Sequence, residues 1–212
     1  MSKLIQIKRR CAICNTESTY EEYAAISSFG SMDLDTRPPL PRRAMLDSEI
    51  TVCEKCHYAN TAVDKPIAGI TRLTLEEEGY QKLCQNNVLD PTAKKFLMAA
   101  YLYDKSGDMH RSGILHLMLA WHYDDLMDGE LAAIARRAAI ERLTRHAELS
   151  YDLNSATLVV DLLRRTEQFE LATENANQLL EIGVSPLLEK ILKFEIHLCE
   201  IRDTKVHTVA EA

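Results

Sequence analysis

Six cysteines punctuate the 212 residues; four fall in two pairs of equal spacing, Cys11-Ala-Ile-Cys14 and Cys53-Glu-Lys-Cys56, while Cys84 and Cys199 stand alone. Two residues between thiols let one tight turn aim both sulfurs at a single ion. Two such turns supply four thiolates, the closed tetrahedral donor set of a structural zinc site. A disulfide framework would instead need an oxidising compartment. The first pair follows no apolar signal-peptide core, and no apolar run approaches the ~20 residues of a membrane span, so the chain is expected in the cytoplasm. The expected cofactor is one structural Zn²⁺ per chain on Cys11, Cys14, Cys53 and Cys56. No catalytic residue is expected.

The residue after each second cysteine often needs a positive φ, hence a frequent Gly. Here those residues are Asn15 and His57. Both types are enriched among the non-glycine residues that tolerate this conformation. With four thiolates filling the site, His57 is read as a turn residue, not a ligand. The 38 residues between the pairs exceed the usual spacing of about 15–20. A long insert is permitted because loop-closure entropy grows slowly with length.

That insert reads SSFGSMDLDTRPPLPRR over 27–43, and its Gly30, Pro38, Pro39 and Pro41 disfavour both helix and central strand. Asp33, Asp35 and Arg37 admit two readings. One is a polar site beside the metal. The other, favoured here, is a loop whose carboxylates cap backbone N–H groups and pair with Arg37, Arg42 or Arg43.

From Thr71 onward the chain takes on helical rhythm. Thr74 followed by Glu77 predicts a capping box, with Leu75, Tyr80 and Leu83 on one face of a short helix. Asp90-Pro91 opens a helix through 103, and Ser106-Gly107-Asp108 breaks it. Further helices are expected over 109–126, ended by Asp128-Gly129, then 130–149, then up to 165 after a break at 152–155. The next covers 169–182 and stops at Gly183. Ser185-Pro186 opens the last, to about 202, beyond which the tail is expected to fray.

Two of these helix pairs are alike. Phe96, Ala99, Ala100 and Tyr103 precede one turn, followed by Ser112 and Leu119; Ala156, Val159, Val160 and Leu163 precede another, followed by Ala172, Ala176 and Leu179. This arrangement resembles the tetratricopeptide repeat, in which small residues let paired helices approach closely. A plain antiparallel bundle obeys the same packing rules. The fold expected is therefore mainly α: a zinc-ribbon-like module over 1–66, then antiparallel helical hairpins, tetratricopeptide-like, over 67–212.

The Cys11-x-x-Cys14 turn, the stretch Phe29-Gly30-Ser31-x-Asp33-Leu34-Asp35-x-Arg37-Pro38, and Cys53-x-x-Cys56-His57-Tyr58 together resemble the bacterial domain-of-unknown-function 2225 family. Leu119-Ala120-Trp121 resembles an element of that family's helical tail. The resemblance implies a zinc-ribbon head, the four cysteine ligands and a tetratricopeptide-like tail. It carries no activity with it, and His57 stands where the family commonly has Gly.

Apolar residues at 46% and charged residues at 27% are a globular balance and exclude a disordered or fibrous chain. Of the net charge of -7, none lies in residues 1–66, where nine Lys/Arg offset nine Asp/Glu. Lys8, Arg9, Arg10, Arg42 and Arg43 could form a local basic patch, read as solvated surface rather than a phosphate-binding face. His110, His116 and His122 recur every six residues, about 240° apart, so they do not share a helix face. Tyr103, Trp121 and Tyr123 admit two readings, the lining of a groove and, favoured here, a core stripe; Cys84 and Cys199 read as buried, inert thiols.

Three functions fit. The first is a zinc-binding scaffold or adaptor whose helical part, with His116, His122 and Tyr123 lining its groove, holds a protein or peptide partner. The second is a nucleic-acid-associated zinc ribbon. The third is an enzyme around Asp33, Asp35 and Arg37. Four thiolates leave the ion no open position for catalysis, and the acidic tail disfavours phosphate contacts. The expectation is the scaffold: no enzyme, no nucleic acid and no membrane. The sequence assigns no oligomeric state.

Overall fold

The computed structural model describes residues 4–24 and 28–212. Residues 1–3 of the basic N-terminus and Ser27 of the insert lie outside the described residues. Strand β1 (Leu4–Arg10) alternates exposed and half-buried side chains, as does most of β2 (Glu17–Tyr23), and the two pair antiparallel from Leu4↔Tyr23 to Arg10↔Glu17. The first cysteine pair is the loop of this hairpin. Strands β3 (Thr51–Val52) and β4 (Ala59–Asn60) form a shorter hairpin whose loop is the second pair. The intervening insert contains no paired strand among its described residues; it ends in a 3-10 segment, Arg42–Ser48.

Eight α-helices follow among the described residues: α1 (Arg72–Glu76), α2 (Glu78–Gln85), α3 (Pro91–Ser106), α4 (Met109–Asp125), α5 (Gly129–Ser150), α6 (Leu153–Arg165), α7 (Phe169–Ile182) and α8 (Pro186–Glu200). From α3 on, short turns fold each helix back against its predecessor, and α6 also meets α8. Ser112, Ala120, Ala132, Ala135 and Ala139 are buried on α4 and α5. A Cβ on Gly113 of α4 would come 2.7 Å from Leu143 Cγ of α5, so small residues set how closely these helices approach. The apolar and small residues expected in the two alike helix pairs are buried or half-buried. Successive helix packing of this kind is common to a repeat and to a bundle.

The cysteine-bearing hairpins and the helices share one core. Cys11, Ile50, Cys53, Tyr58 and Ala59 cluster with Tyr80, Phe96, Tyr103, Leu119 and Tyr123. A second cluster runs from α4 to α8 around Leu117, Trp121, Leu162 and Leu192.

Three local expectations are corrected. Glu77 does not close a capping box: it is extended, separating α1 from α2, and its carboxylate accepts from Tyr101 Oη (2.8 Å) and pairs with Lys105 (2.5 Å), while Thr74 Oγ1 accepts the N–H of Thr71 (3.2 Å). Gly129 does not end α4: it is the first residue of α5, and Met127 takes the left-handed conformation at φ 58. The tail does not fray. Leu34 N–H donates to the His207 carbonyl (2.8 Å) and Val209 N–H to that of Met32 (2.9 Å). Arg164, fully buried, donates through Nη1 to the carbonyls of Asp203 (2.7 Å) and Lys205 (3.0 Å). A polar segment is thus ordered by one buried guanidinium and by the insert.

Candidate metal centre

Each cysteine turn closes in the same way. Asn15 N–H donates to the Cys11 carbonyl (2.9 Å) and His57 N–H to that of Cys53 (2.8 Å). Cys11 N–H donates to the Thr16 carbonyl (2.9 Å) and Cys53 N–H to that of Tyr58 (2.9 Å), so each pair is pinned at both ends. Asn15 and His57 carry φ of 58 and 60, the conformation expected of them. The carbonyl of His57 accepts from Tyr80 Oη (2.6 Å), which ties the second turn to α2.

These turns bring the four cysteines to one point. Their sulfurs lie within metal-binding distance of one another, with Cys11 and Cys53 buried and Cys14 and Cys56 half-buried. Cys11 Sγ is 3.6 Å from Cys56 Sγ, and Cys14 Sγ is 3.6 Å from Cys53 Sγ. That is close to the ~3.8 Å edge of a tetrahedron with metal–sulfur bonds of about 2.3 Å, and far beyond the ~2.05 Å of a disulfide. Burial pushes the Cys11 and Cys56 thiols up. At Cys14 burial is outweighed by Thr16 and the neighbouring thiols, which bring it down to about 6. An ion entering the site must therefore displace protons from Cys11 and Cys56. The donor set fits a structural metal and supplies four ligands, leaving none for His57.

The insert residues singled out from the sequence gather at a second polar cluster. Asp33 pairs with Arg43, and Asp35 Oδ1 accepts from Arg37 N–H (3.1 Å), as a structural loop requires. The remaining partners are distant in sequence. Asp35 Oδ2 accepts from Trp121 Nε1 (2.8 Å) and Arg165 Nη1 (2.7 Å). Arg37 pairs with Asp125, Arg136 with Asp124, and Arg165 with Asp124 (3.0 Å). Four arginines meet four aspartates across the insert, α4, α5 and α6. Burial opposes the Arg165 charge, but Asp161, Asp35 and Asp124 outweigh it and raise its pKa. Asp125, Arg136 and Arg165 belong to no local sequence motif, and Asp124 stands in the sequence only as an i,i+4 neighbour of Asp128, read as a solvated helix end.

Other expectations sort by burial. Tyr103, Trp121 and Tyr123 are buried, as expected of core. Cys199 is buried but Cys84 only half-buried. His116 is buried between Asp104 and Arg142, Tyr123 is in the core, and His122 Nε2 sits 2.7 Å from Asp90 Oδ1. These three do not line an open groove, and the insert covers α4 at Trp121. Of the basic patch, Arg9 pairs with Glu22 (2.5 Å) and Asp64 (2.8 Å), Arg10 with Glu17 (3.5 Å), Arg42 with Glu49 (3.9 Å) and Arg43 with Asp33. No helix among the described residues is long and apolar enough to cross a membrane. No protein-family model, curated protein or solved structure matches the chain, so the centre stands on its own geometry.

Proposed function

We propose that the chain is a zinc-stabilised scaffold whose helical part holds a protein or peptide, and that it performs no catalysis. The observation that carries this is the closed four-cysteine cluster built into a core shared with the helices. Thiolates at this spacing favour Zn²⁺, and an ion there links the two hairpins that support α2 to α4. The carboxylates of the insert are spent on internal pairs. The partner surface is a groove of about 460 Å³ between α5, α6 and α7. Ala147, Leu153, Ala156 and Val159 give it an apolar floor, and Glu148, Asp152 and the exposed Ile182 stand at its side. It suits an extended segment with apolar anchors and basic neighbours. The resemblance to the domain-of-unknown-function 2225 family agrees with this reading, and its two halves touch where Trp121 donates to Asp35.

Metal analysis of protein purified without added metal is expected to give one zinc per chain. Cys53→Ser should lose it and, because the core is shared, also lower the melting temperature of the helical signal. Less than one zinc, or an unchanged Tm, overturns the structural role. Salt-sensitive binding of generic duplex or single strands near physiological salt is not expected, and finding it would favour a nucleic-acid partner.

A further inference from the structure

His110 is the second residue of α4, His146 lies near the C-terminal end of α5, and Asp152 is the N-cap of α6. Because α5 folds back along α4, and α6 begins directly after the turn at Tyr151, these three residues meet although 42 positions separate the first from the last. One nitrogen of each imidazole and one oxygen of Asp152 lie within 4.8 Å of one another, all three residues being half-buried. The imidazole centroids are 4.8 Å apart, and His146 Nε2 is 3.5 Å from Asp152 Oδ2.

We propose that His110, His146 and Asp152 form a second metal site, for a divalent first-row ion of the zinc, cobalt or nickel kind, with its remaining positions open to water. Two neutral imidazoles and a carboxylate are a nitrogen-and-oxygen donor set suited to these ions and unlike the soft thiolate cluster. Donors bound at about 2.0–2.2 Å around a tetrahedral ion stand about 3.4 Å apart. Closing from 4.8 Å requires rotation about side-chain torsions that are broad for an imidazole, and exchanges the contact of His146 Nε2 with Ser150 Oγ (3.2 Å) for the ion. The carboxylate is already aimed: Oδ1 accepts the Asn154 N–H (3.1 Å) and Oδ2 accepts from Ser155 Oγ (2.6 Å). Such outer hydrogen bonds orient a ligand before the ion arrives. Three ligands rather than four make the site weaker and more exchangeable than the cysteine centre. An ion there ties together the ends of three helices, so it stabilises the fold by mass action.

The test uses tag-free full-length protein carrying one zinc per chain, titrated with Co²⁺ and followed by calorimetry and visible absorption. The expected result is one further equivalent, with ligand-field bands, no new thiolate charge-transfer absorption and a raised Tm. His110→Ala and His146→Gln should each weaken this equivalent by at least the roughly 10–100-fold that even an outer partner contributes, with the first zinc retained. Asp152→Asn preserves the cap, since Asn serves as well at that position, and should weaken binding by removing the charge. Should one histidine variant fail to fold, the other reads the same site. No second equivalent in the parent protein, or a second equivalent undiminished in the folded histidine variants, overturns the proposal.

Discussion

At the scale of single residues, Asp35 does the most to hold the insert on the helices. It is 1% exposed and accepts from a backbone N–H, an indole and a guanidinium. Asp35→Ala would leave Arg165 without its closest carboxylate and Trp121 with a buried, unpaired N–H. Removing one partner of a buried ion pair costs about 3–5 kcal/mol. Trp121→Phe keeps an aromatic ring and deletes one donor, so it should cost less, about 1–3 kcal/mol. Urea denaturation of the two variants checks that order; equal losses would mean that ring volume, not the hydrogen bond, secures the contact. The cysteine quartet was legible in the sequence because its chemistry is written in a four-residue spacing. Asp35's cap on the Arg37 N–H was legible too, but its contacts to Trp121 and Arg165 were not, because these lie 86 and 130 residues away and a long-range pair leaves no periodic trace.

At the scale of elements, four helix ends close by one device. The N–H groups of Asp108, Asp128, Gln168 and Asp203 donate to the carbonyls of Tyr103, Tyr123, Leu163 and Leu198. The residue before each donor has a positive φ: Gly107 at 81, Met127 at 58, Glu167 at 65 and Arg202 at 53. This is the Schellman closure, which favours Gly because Cβ is strained there. Only Gly107 is that residue, so the sequence displayed one of the four ends clearly and shifted another to Gly129. The helices themselves were legible from their caps, Asp90-Pro91 and Ser185-Pro186 among them. Met127 is 92% exposed and contributes little packing. Met127→Gly should therefore relieve the left-handed strain and, after the extra entropy of the unfolded chain, stabilise the protein by about 0.5–1 kcal/mol. Gly107→Ala should destabilise it by about 1 kcal/mol. Thermal denaturation of the pair tests both signs.

At the scale of the whole molecule, two buried titratable groups shape the response to pH from different helices. His116 of α4 faces Asp104 of α3 and Arg142 of α5, and burial together with Arg142 brings its pKa down to about 4. An unfolded histidine titrates near 6.5. The stability held by the neutral ring is thus full above pH 6.5 and is lost as pH falls through 4, about 3 kcal/mol over the interval. Glu195 of α8 meets Arg164 and Asp161 of α6. Burial and the Asp161 charge push it up to about 8 despite Arg164. One guanidinium, two carboxyl groups and one retained proton make a neutral buried set. The proton also answers the otherwise unpartnered Asp161 Oδ2 and Glu195 Oε1. Here the sign is reversed: stability is full below about 4.5 and is lost as pH rises through 8. Together the two groups give a plateau between about 4.5 and 6.5 and a decline on either side. His116→Gln should remove the acid decline and Glu195→Gln the alkaline one. Urea denaturation from about pH 3.5 to 9 tests this when each variant is read as its difference from the parent, so that any pH dependence of the cysteine centre cancels. A Glu195→Gln protein that loses stability alongside the parent up to pH 8 would place that proton elsewhere and leave Arg164 facing two ionised carboxylates.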